Sequence, residues 1–583
     1  MGKKSSRPYN EVDPKHAASG TTRALGGTLN SCRVAALPVL EGILKRLRLE
    51  AFLRDHLPPE DARSRVPTAT GLMVLLKNLL ISREPLYGIG EWAALHAPEL
   101  LGLTSTQCSS LNDDRVGRGL DRLFDADIPS LTLAVVAHAV GEFGVDLDEL
   151  HNDSTTITFH GDYETADQER TLRGKLRLAV THGHNKDHRP DLKQLLYILT
   201  VSRDGAVPVH FRVENGNATD DRTHIDTWTT LCKLTGRRDF LYVADCKLAT
   251  AENMAHIHQN GGRFLTILPR TRSEDTAFRA TVREGLNRWK HLHDRLDDNG
   301  QWIDRYRIHE PEATTAEGYR LVWYHSARKA ELDALTRHNR LERTTAALTE
   351  LGVKLTSTRT RYRDQAKVAQ AVDTILRDGD VEGFLVVEIK ERTTETFHQD
   401  RRGRPGPETR YVRSEATRFD LTWRIDHERL IEEARCDGIF PLVTNATSLS
   451  AVDLLLSYKQ QPMIEKRFSQ LKTDCVVAPV FLKAVGRIQA LLCVYFFALL
   501  TESLLERELR QAMAREGVES LPLYPEGRAC RRPTARRVID LFEDIQRHEL
   551  VTEERSVVVF KTDLTRLQSK ILRLLGMPKA YSG

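Results

Sequence analysis

Apolar residues recur at three- and four-residue intervals through LPVLEGILKRLRLEAFLRDHL, TATGLMVLLKNLLI and VGRGLDRLFDADIPSLTLAVVAHAVGEFG. That period gathers them on one side of amphipathic helices, so residues 26–145 read as a helical N-terminal domain. Residues 1–25, rich in Lys, Ser and Gly, read as a disordered basic tail. At residue 149 the pattern changes to alternation. ELHNDSTTITFHG (149–161) reads as a strand, and QLLYILTVS (194–202) and AVPVHFRV (206–213) read as a hairpin closed at RDG. A helix (THIDTWTTLCKL), a short strand ending in an acid (DFLYVAD), a second helix and the strand RFLTILP follow. The order strand, strand, strand, helix, strand, helix, strand predicts a mixed α/β core whose first part spans 146–270.

Residues 271–440 break this order, mixing strands (GYRLVWYH, GFLVVEIK, TRFDLTWRI) with a long charged helix near 326–350. The helix that the α/β pattern lacks comes afterwards, near 448–472. A domain inserted into the core explains both facts, with the second part of the core at 441–505 and a helical C-terminal region at 506–583. The expected class is therefore α/β (α+β overall), with helical regions at both ends.

Composition narrows the choice only a little. A chain of 583 residues is long enough for several folding units. Its formal net charge of +4 does not by itself indicate nucleic acid, so any phosphate-binding surface must come from local clustering, as in DRRGRPGPETRYVR (400–413) and RACRRPTARR (528–537). Eight cysteines without a CxxC pair argue against a zinc ribbon and a disulfide framework, and fit a reducing cytoplasm. The run ALLCVYFFALL reads as a buried helix rather than a membrane span. The polar, basic N-terminus has no signal-peptide pattern.

Three acids stand out by placement. Asp153 lies within the first strand, Asp245 ends the fourth, where α/β sheets gather their ligands, and Glu465 lies on the late helix. Carboxylates from separate segments suit Mg²⁺ or Mn²⁺, and two such ions about 3.5–4 Å apart can activate a nucleophile and stabilise a leaving oxygen. Residues 454–474 read as one helix, on which Tyr458, Gln461, Glu465 and Lys472 share a face, and the row from Tyr458 to Lys472 covers about 21 Å, suited to a DNA backbone. A solvated helix face is the plainer reading of the same spacing. In THGHNKDHRPD, His182, His184 and His188 invite a zinc reading. Without cysteines, a loop whose Lys186, His188 and Arg189 touch phosphate fits better.

YKQQPMIEKRFSQLK resembles the tyrosine-(2)-arginine-(3)-glutamate-(6)-lysine signature of the IS-four-type DDE transposases of bacterial insertion sequences. Tyr458, Glu465 and Lys472 match it, whereas Gln461 stands where the family has arginine. GHNKDHRPDLKQLLYILTVSRDGAVPVHFRVENGNATD, FLYVADCKLATAENM and LNDDRVGRGLDRLFDAD also resemble this family. The resemblance implies a ribonuclease H-like core with Asp153, Asp245 and Glu465 as the catalytic, metal-binding triad, a β-rich insertion, two Mg (or Mn) ions, and contacts to DNA by Tyr458, Gln461 and Lys472. It implies cut-and-paste transposition: strand cleavage and transfer on double-stranded DNA, at terminal inverted repeats and at a target, by a homodimer in the synaptic complex, in the bacterial nucleoid and away from any membrane. A hairpin route would need an aromatic to hold a flipped base. Trp323 is the candidate, against the plainer reading of a packed sheet residue. The competing functions are a ribonuclease H-like nuclease or resolvase that cuts without joining, and a non-catalytic DNA-binding derivative.

Overall fold

The computed structural model describes residues 22–24, 27–60, 64–161, 163, 166, 168–172, 174–297, 300–357, 360–381, 383–474, 482–524, 526–552 and 557–582. Most of the expected N-terminal tail lies outside them. The chain forms two compact units: residues 1–265 with 456–583, and residues 266–455.

In the first unit the alternating segments become strands β1 (Glu149–Phe159), β2 (Lys193–Ser202) and β3 (Pro208–Asn215). Helix α1 (His224–Thr235), strand β4 (Leu241–Ala244), helix α2 (Ala251–Gln259) and strand β5 (Arg263–Ile267) follow. The strand order is β5-β4-β1-β2-β3. β1, β2 and β3 pair antiparallel, as strands joined by short connections can, while β4 lies parallel to both β1 and β5, as helical crossovers require. The result is a mixed α/β sheet. Nine of the ten residues of β2 are buried, which explains its nearly unbroken apolar run.

The late helix is two helices, α3 (Ala451–Tyr458) and α4 (Pro462–Ser469), followed by a π-helical turn over Gln470–Asp474. Pro462 causes the break. It has no N–H for the Tyr458 carbonyl, which accepts from the Gln461 N–H at 3.1 Å instead, in a tighter i→i+3 turn. The expectation of one polar row about 21 Å long is therefore corrected.

Behind the sheet runs α5 (Val485–Arg515), most of it buried. It is long and apolar enough to cross a membrane, but 94% of its most apolar stretch is buried inside the protein. It packs on β3 and on the helices Leu37–Leu47, Thr68–Ile81 and Asp113–Asp125. The expectation that both terminal regions are wholly helical is corrected: each also contributes strands. Gly27–Arg33 pairs antiparallel with Gln546–Thr552, which also pairs with Val557–Lys561. A seven-residue strand beside long periodic helices leaves little pattern of its own.

The second unit holds the antiparallel strands Lys290–Leu296, Trp302–His309, Arg320–Ser326 and Ile439–Thr444. It also has a core of its own. Leu341, Leu348, Leu351 and Leu355 of the helix Ala327–Thr356 share a face and pack with Val368, Val372, Leu385 and Phe419. Trp323 is 1% exposed and stacked on Phe278 with ring centroids 3.8 Å apart, so it is a packed sheet residue and not a platform for a flipped base.

Gly183 and Gly216 let the loop after Thr181 lie against the end of β2. A Cβ on Gly216 would strike the carbonyls of Gln194 and Thr181, and one on Gly183 would strike the Gly216 carbonyl. Gly216→Ala is expected to cost about 2–3 kcal/mol. Gly141→Ala, in an open helical position, is expected to gain about 0.5–1 kcal/mol. Thermal unfolding of both variants checks the pair, and equal Tm values would count against this packing.

Candidate active site

The parallel register of β1 and β4 builds the centre of the site. The paired residues run from Glu149↔Leu241 to Asn152↔Ala244. Asp153 and Asp245 are each the next residue along, so the two acids emerge side by side where β4 ends; neighbouring strands lie about 4.8 Å apart. Asp153 is held by the Ser154 N–H, which donates to its Oδ1 at 2.7 Å. Asp245 caps the turn Cys246–Leu248 and accepts from the Lys247 N–H at 3.0 Å.

Two like charges at a half-buried strand end disfavour ionisation. Burial, aided by Asp245 and Asp220, pushes the Asp153 carboxyl up to about 6, against the opposing pull of Lys186 and the Ser154 N–H. Burial likewise raises Asp245, with Asp220 adding to the effect and the Lys247 N–H and Lys186 opposing it.

Lys186 supplies the compensating charge. Its ammonium donates to the Ser154 carbonyl at 2.8 Å and to Ser154 Oγ at 2.6 Å, and lies 3.0 Å from Asp220 Oδ2 and 3.7 Å from Asp153 Oδ1. Burial works against that charge, yet Asp153, Asp220 and Asp245 outweigh it and raise the ammonium above its usual range. Sequence reasoning placed Lys186 on DNA; in the structure it points inward to the carboxylates. Asp220 went unnoticed in the sequence because nothing in NATDDRTH separates it from a loop acid.

The four signature positions take different places. The Tyr458 hydroxyl is pushed well above its usual range by burial and by Asp245, Cys246, Asp153 and Glu465, so it stays protonated beside these groups. Glu465 is exposed in the first turn of α4. Gln461, expected on a phosphate, is drawn inward and bonds to His151 Nδ1 at 3.0 Å. His151 in turn meets Glu149 at 2.8 Å, and Glu149 also accepts from Ser457 Oγ at 2.8 Å and from Arg203 at 3.0 Å. Lys472 is paired with Asp187 at 2.7 and 2.9 Å. Arg189 is paired with Asp191, and His188 is exposed in a left-handed turn at φ 57°. Asn185 holds that turn, accepting from the N–H groups of Asp187 and Arg189 at 2.8 and 3.1 Å.

A buried ion pair fixes α4. Arg467, 1% exposed, donates to the carbonyls of Gly205 and Ala206, to Gln470 and to Glu506 on α5. Glu506 stays below the usual carboxylate range despite burial, because Arg467, Lys466 and Arg510 surround it.

The donors here are hard oxygens of the type Mg²⁺ prefers. Among the described residues, however, no group of three or more His, Cys, Asp or Glu side chains is arranged to hold a metal ion. That finding covers His182, His184 and His188, and it also covers the three acids as they stand. The structure brings Asp153, Asp245 and Asp220 around Lys186, and Asp153, Asp245 and Glu465 all act on the Tyr458 hydroxyl.

Residues 29–137 match the model of a domain of unknown function, DUF4277. Among solved structures, a piggyBac transposase synaptic complex with hairpin DNA aligns with 47% of this chain and 56% of its own, at 9% identity and a TM-score of 0.22. The alignment thus spans little more than half of that chain. No curated protein matches the chain.

Burial alone would raise the Glu149 carboxyl, but its bonds to His151 and Ser457 and the nearby Arg203 bring it below the usual carboxylate range. A depressed carboxylate stabilises the fold above its unfolded pKa of about 4.3, and that gain is lost as pH falls through the lower folded value. Glu149→Gln is therefore expected to lose about 1–3 kcal/mol at pH 7. The deficit should shrink as the pH falls below 4. Calorimetric Tm values across pH 3–8 test this, and a deficit independent of pH would refute it.

Proposed function

We propose that the chain is a transposase of the DDE kind that cleaves and transfers strands of double-stranded DNA, with Asp153, Asp245 and Glu465 as its catalytic carboxylates. The observation that carries this reading is the juxtaposition of Asp153 and Asp245 at the end of β4, in a ribonuclease H-like sheet whose next helix, after the inserted unit, bears Glu465. The signature spacing of Tyr458, Glu465 and Lys472 supports it. Its substrates would be terminal inverted repeats and target DNA, brought together by a homodimer in the bacterial nucleoid.

In this reading Asp153, Asp245 and Glu465 would hold two Mg²⁺ (or Mn²⁺) ions, which would supply Lewis-acid chemistry at the phosphodiester. The chain's own residues do the rest. The protonated Tyr458 donates to a phosphate oxygen, and Lys472 exchanges Asp187 for phosphate. Lys186 offsets the carboxylate charge, while the buried Arg467–Glu506 pair keeps α4 in place beneath Glu465. Gln461 orients His151 and takes no part in binding the strand.

One observation favours a second reading. Lys186 sits where a cation would compensate Asp153 and Asp220, and no three-ligand cluster forms among the described residues. A non-catalytic DNA-binding derivative would look like this.

Nicking of supercoiled plasmid in Mg²⁺ or Mn²⁺ separates the two. Asp153→Asn, Asp245→Asn and Glu465→Gln should each lower nicking by at least about 10³-fold, on the order of 4 kcal/mol of barrier, and leave DNA affinity within about threefold. Absence of nicking by the unmutated protein in both metals would support the derivative. Nicking that survives all three substitutions would refute the assignment. Lys186→Met should lower the Tm in EDTA, with part of the loss restored by millimolar Mg²⁺; no restoration would mean that the cluster does not take the ion.

A further inference from the structure

In the second unit, Leu385–Gln399 and Tyr411–Ile425 form a two-stranded ribbon paired without a bulge from Leu385↔Ile425 to Gln399↔Tyr411. Only its base is packed: Leu385 and Phe419 lie in the core, with Ile389, Leu421 and Trp423 against it. From the pair Glu391↔Phe419 outward, nine residues of the first strand have no core contact, a reach of about 30 Å at 3.3 Å per residue. Cross-strand ion pairs steady this arm, Arg392 with Asp420 and Arg413 with Glu395.

The tip, Asp400–Arg410, is closed by the Asp400 N–H to the Arg410 carbonyl at 3.0 Å and by the Thr409 N–H to the Gly406 carbonyl at 3.0 Å. It presents Arg401, Arg402, Arg404 and Arg410 against only two acids, Asp400 and Glu408. All four arginines are exposed, and unlike Arg392 and Arg413 none forms an ion pair among the described residues. Gly403 has a φ of 154°, and Pro405 follows Arg404. Arg402-Gly403-Arg404-Pro405 is thus a slim, exposed bend with a guanidinium on each side of a residue that has no side chain.

That shape fits one partner better than others. The minor groove of B-DNA is only about 6 Å wide, too narrow for a helix or a ribbon but open to single arginine side chains carried on a slim loop. In A·T tracts it narrows further and its negative potential deepens, which attracts arginine. A guanidinium enters at less cost than an ammonium because it is more weakly hydrated. We propose that the ribbon tip enters the minor groove of A·T-rich duplex DNA, with Arg402 and Arg404 in the groove on either side of Gly403. The inference rests on the DNA-processing reading above, but its test needs no cleavage.

The full-length protein in EDTA at 150 mM KCl is titrated into fluorescein-labelled 20-base-pair duplexes, one A·T-rich and one entirely G·C, and anisotropy is read. The expected result is at least tenfold tighter binding to the A·T duplex. The double variant R402K/R404K, which keeps the charge and alters only an exposed loop, should bring that ratio close to one while its circular dichroism is unchanged. Equal binding of both duplexes by the unmutated protein would overturn the proposal, as would an A·T preference that survives the double variant or tighter binding to double-stranded RNA. Since Asp153→Asn should keep the full A·T preference, loss of nicking and loss of groove recognition are separately observable.

Discussion

The candidate site depends on a conflict between hydrogen bonding and electrostatics. Pairing β4 in parallel with β1 satisfies the sheet, but the same register places two carboxylates on adjacent strand ends. Burial there disfavours the charged form of each, and it is the largest influence on both carboxyls. Much of the surrounding structure answers that cost. Ser154 and Lys247 donate backbone N–H groups to the two acids, and Lys186 brings an ammonium that Asp220 and the Ser154 carbonyl hold in place. The loop carrying Lys186 can come so close only because Gly183 and Gly216 leave room for each other's backbone.

The opposite side of the site is set by a different force. Glu465 projects from a short helix that begins at a proline after a break, and a helix of eight residues has little stability by itself. Its anchor is Arg467, whose guanidinium is fully engaged with two carbonyls, Gln470 and Glu506. A buried pair of this kind is strongly destabilising to break from one side, because it strands the remaining charge. Glu465 is therefore positioned from beneath, by the contacts that Arg467 makes two residues away.

Periodicity made the core legible. The switch to alternation at 149, the apolar run of β2 and the acid at the end of β4 gave the succession of elements and put Asp153 and Asp245 on two different strands, while the parallel register that sets them side by side is seen only in the fold. It also indicated that a unit had been inserted. What failed were inferences requiring knowledge of where a polar side chain points. Gln461 and Lys186 are chemically able to meet phosphate, but buried partners on other segments, His151 and Asp153 with Asp220, draw them inward. The row from Tyr458 to Lys472 was a correct spacing laid on the wrong backbone, because Pro462 interrupts the helix. Asp220 was invisible for a simpler reason: its importance comes from a lysine more than thirty positions away. The terminal strands were hidden because each is short and its partner lies at the other end of the chain.

The inserted unit has a consequence for how the molecule comes into being. Asp153 and Asp245 lie upstream of it and Glu465 lies downstream, so a chain leaving the ribosome displays two of its acids long before the third exists. A unit with its own hydrophobic core can collapse meanwhile, which shortens the segment that must close before α4 docks and lessens the entropy of that closure. Biosynthesis thereby imposes an order: α4 can dock on the core only after the inserted unit has been made.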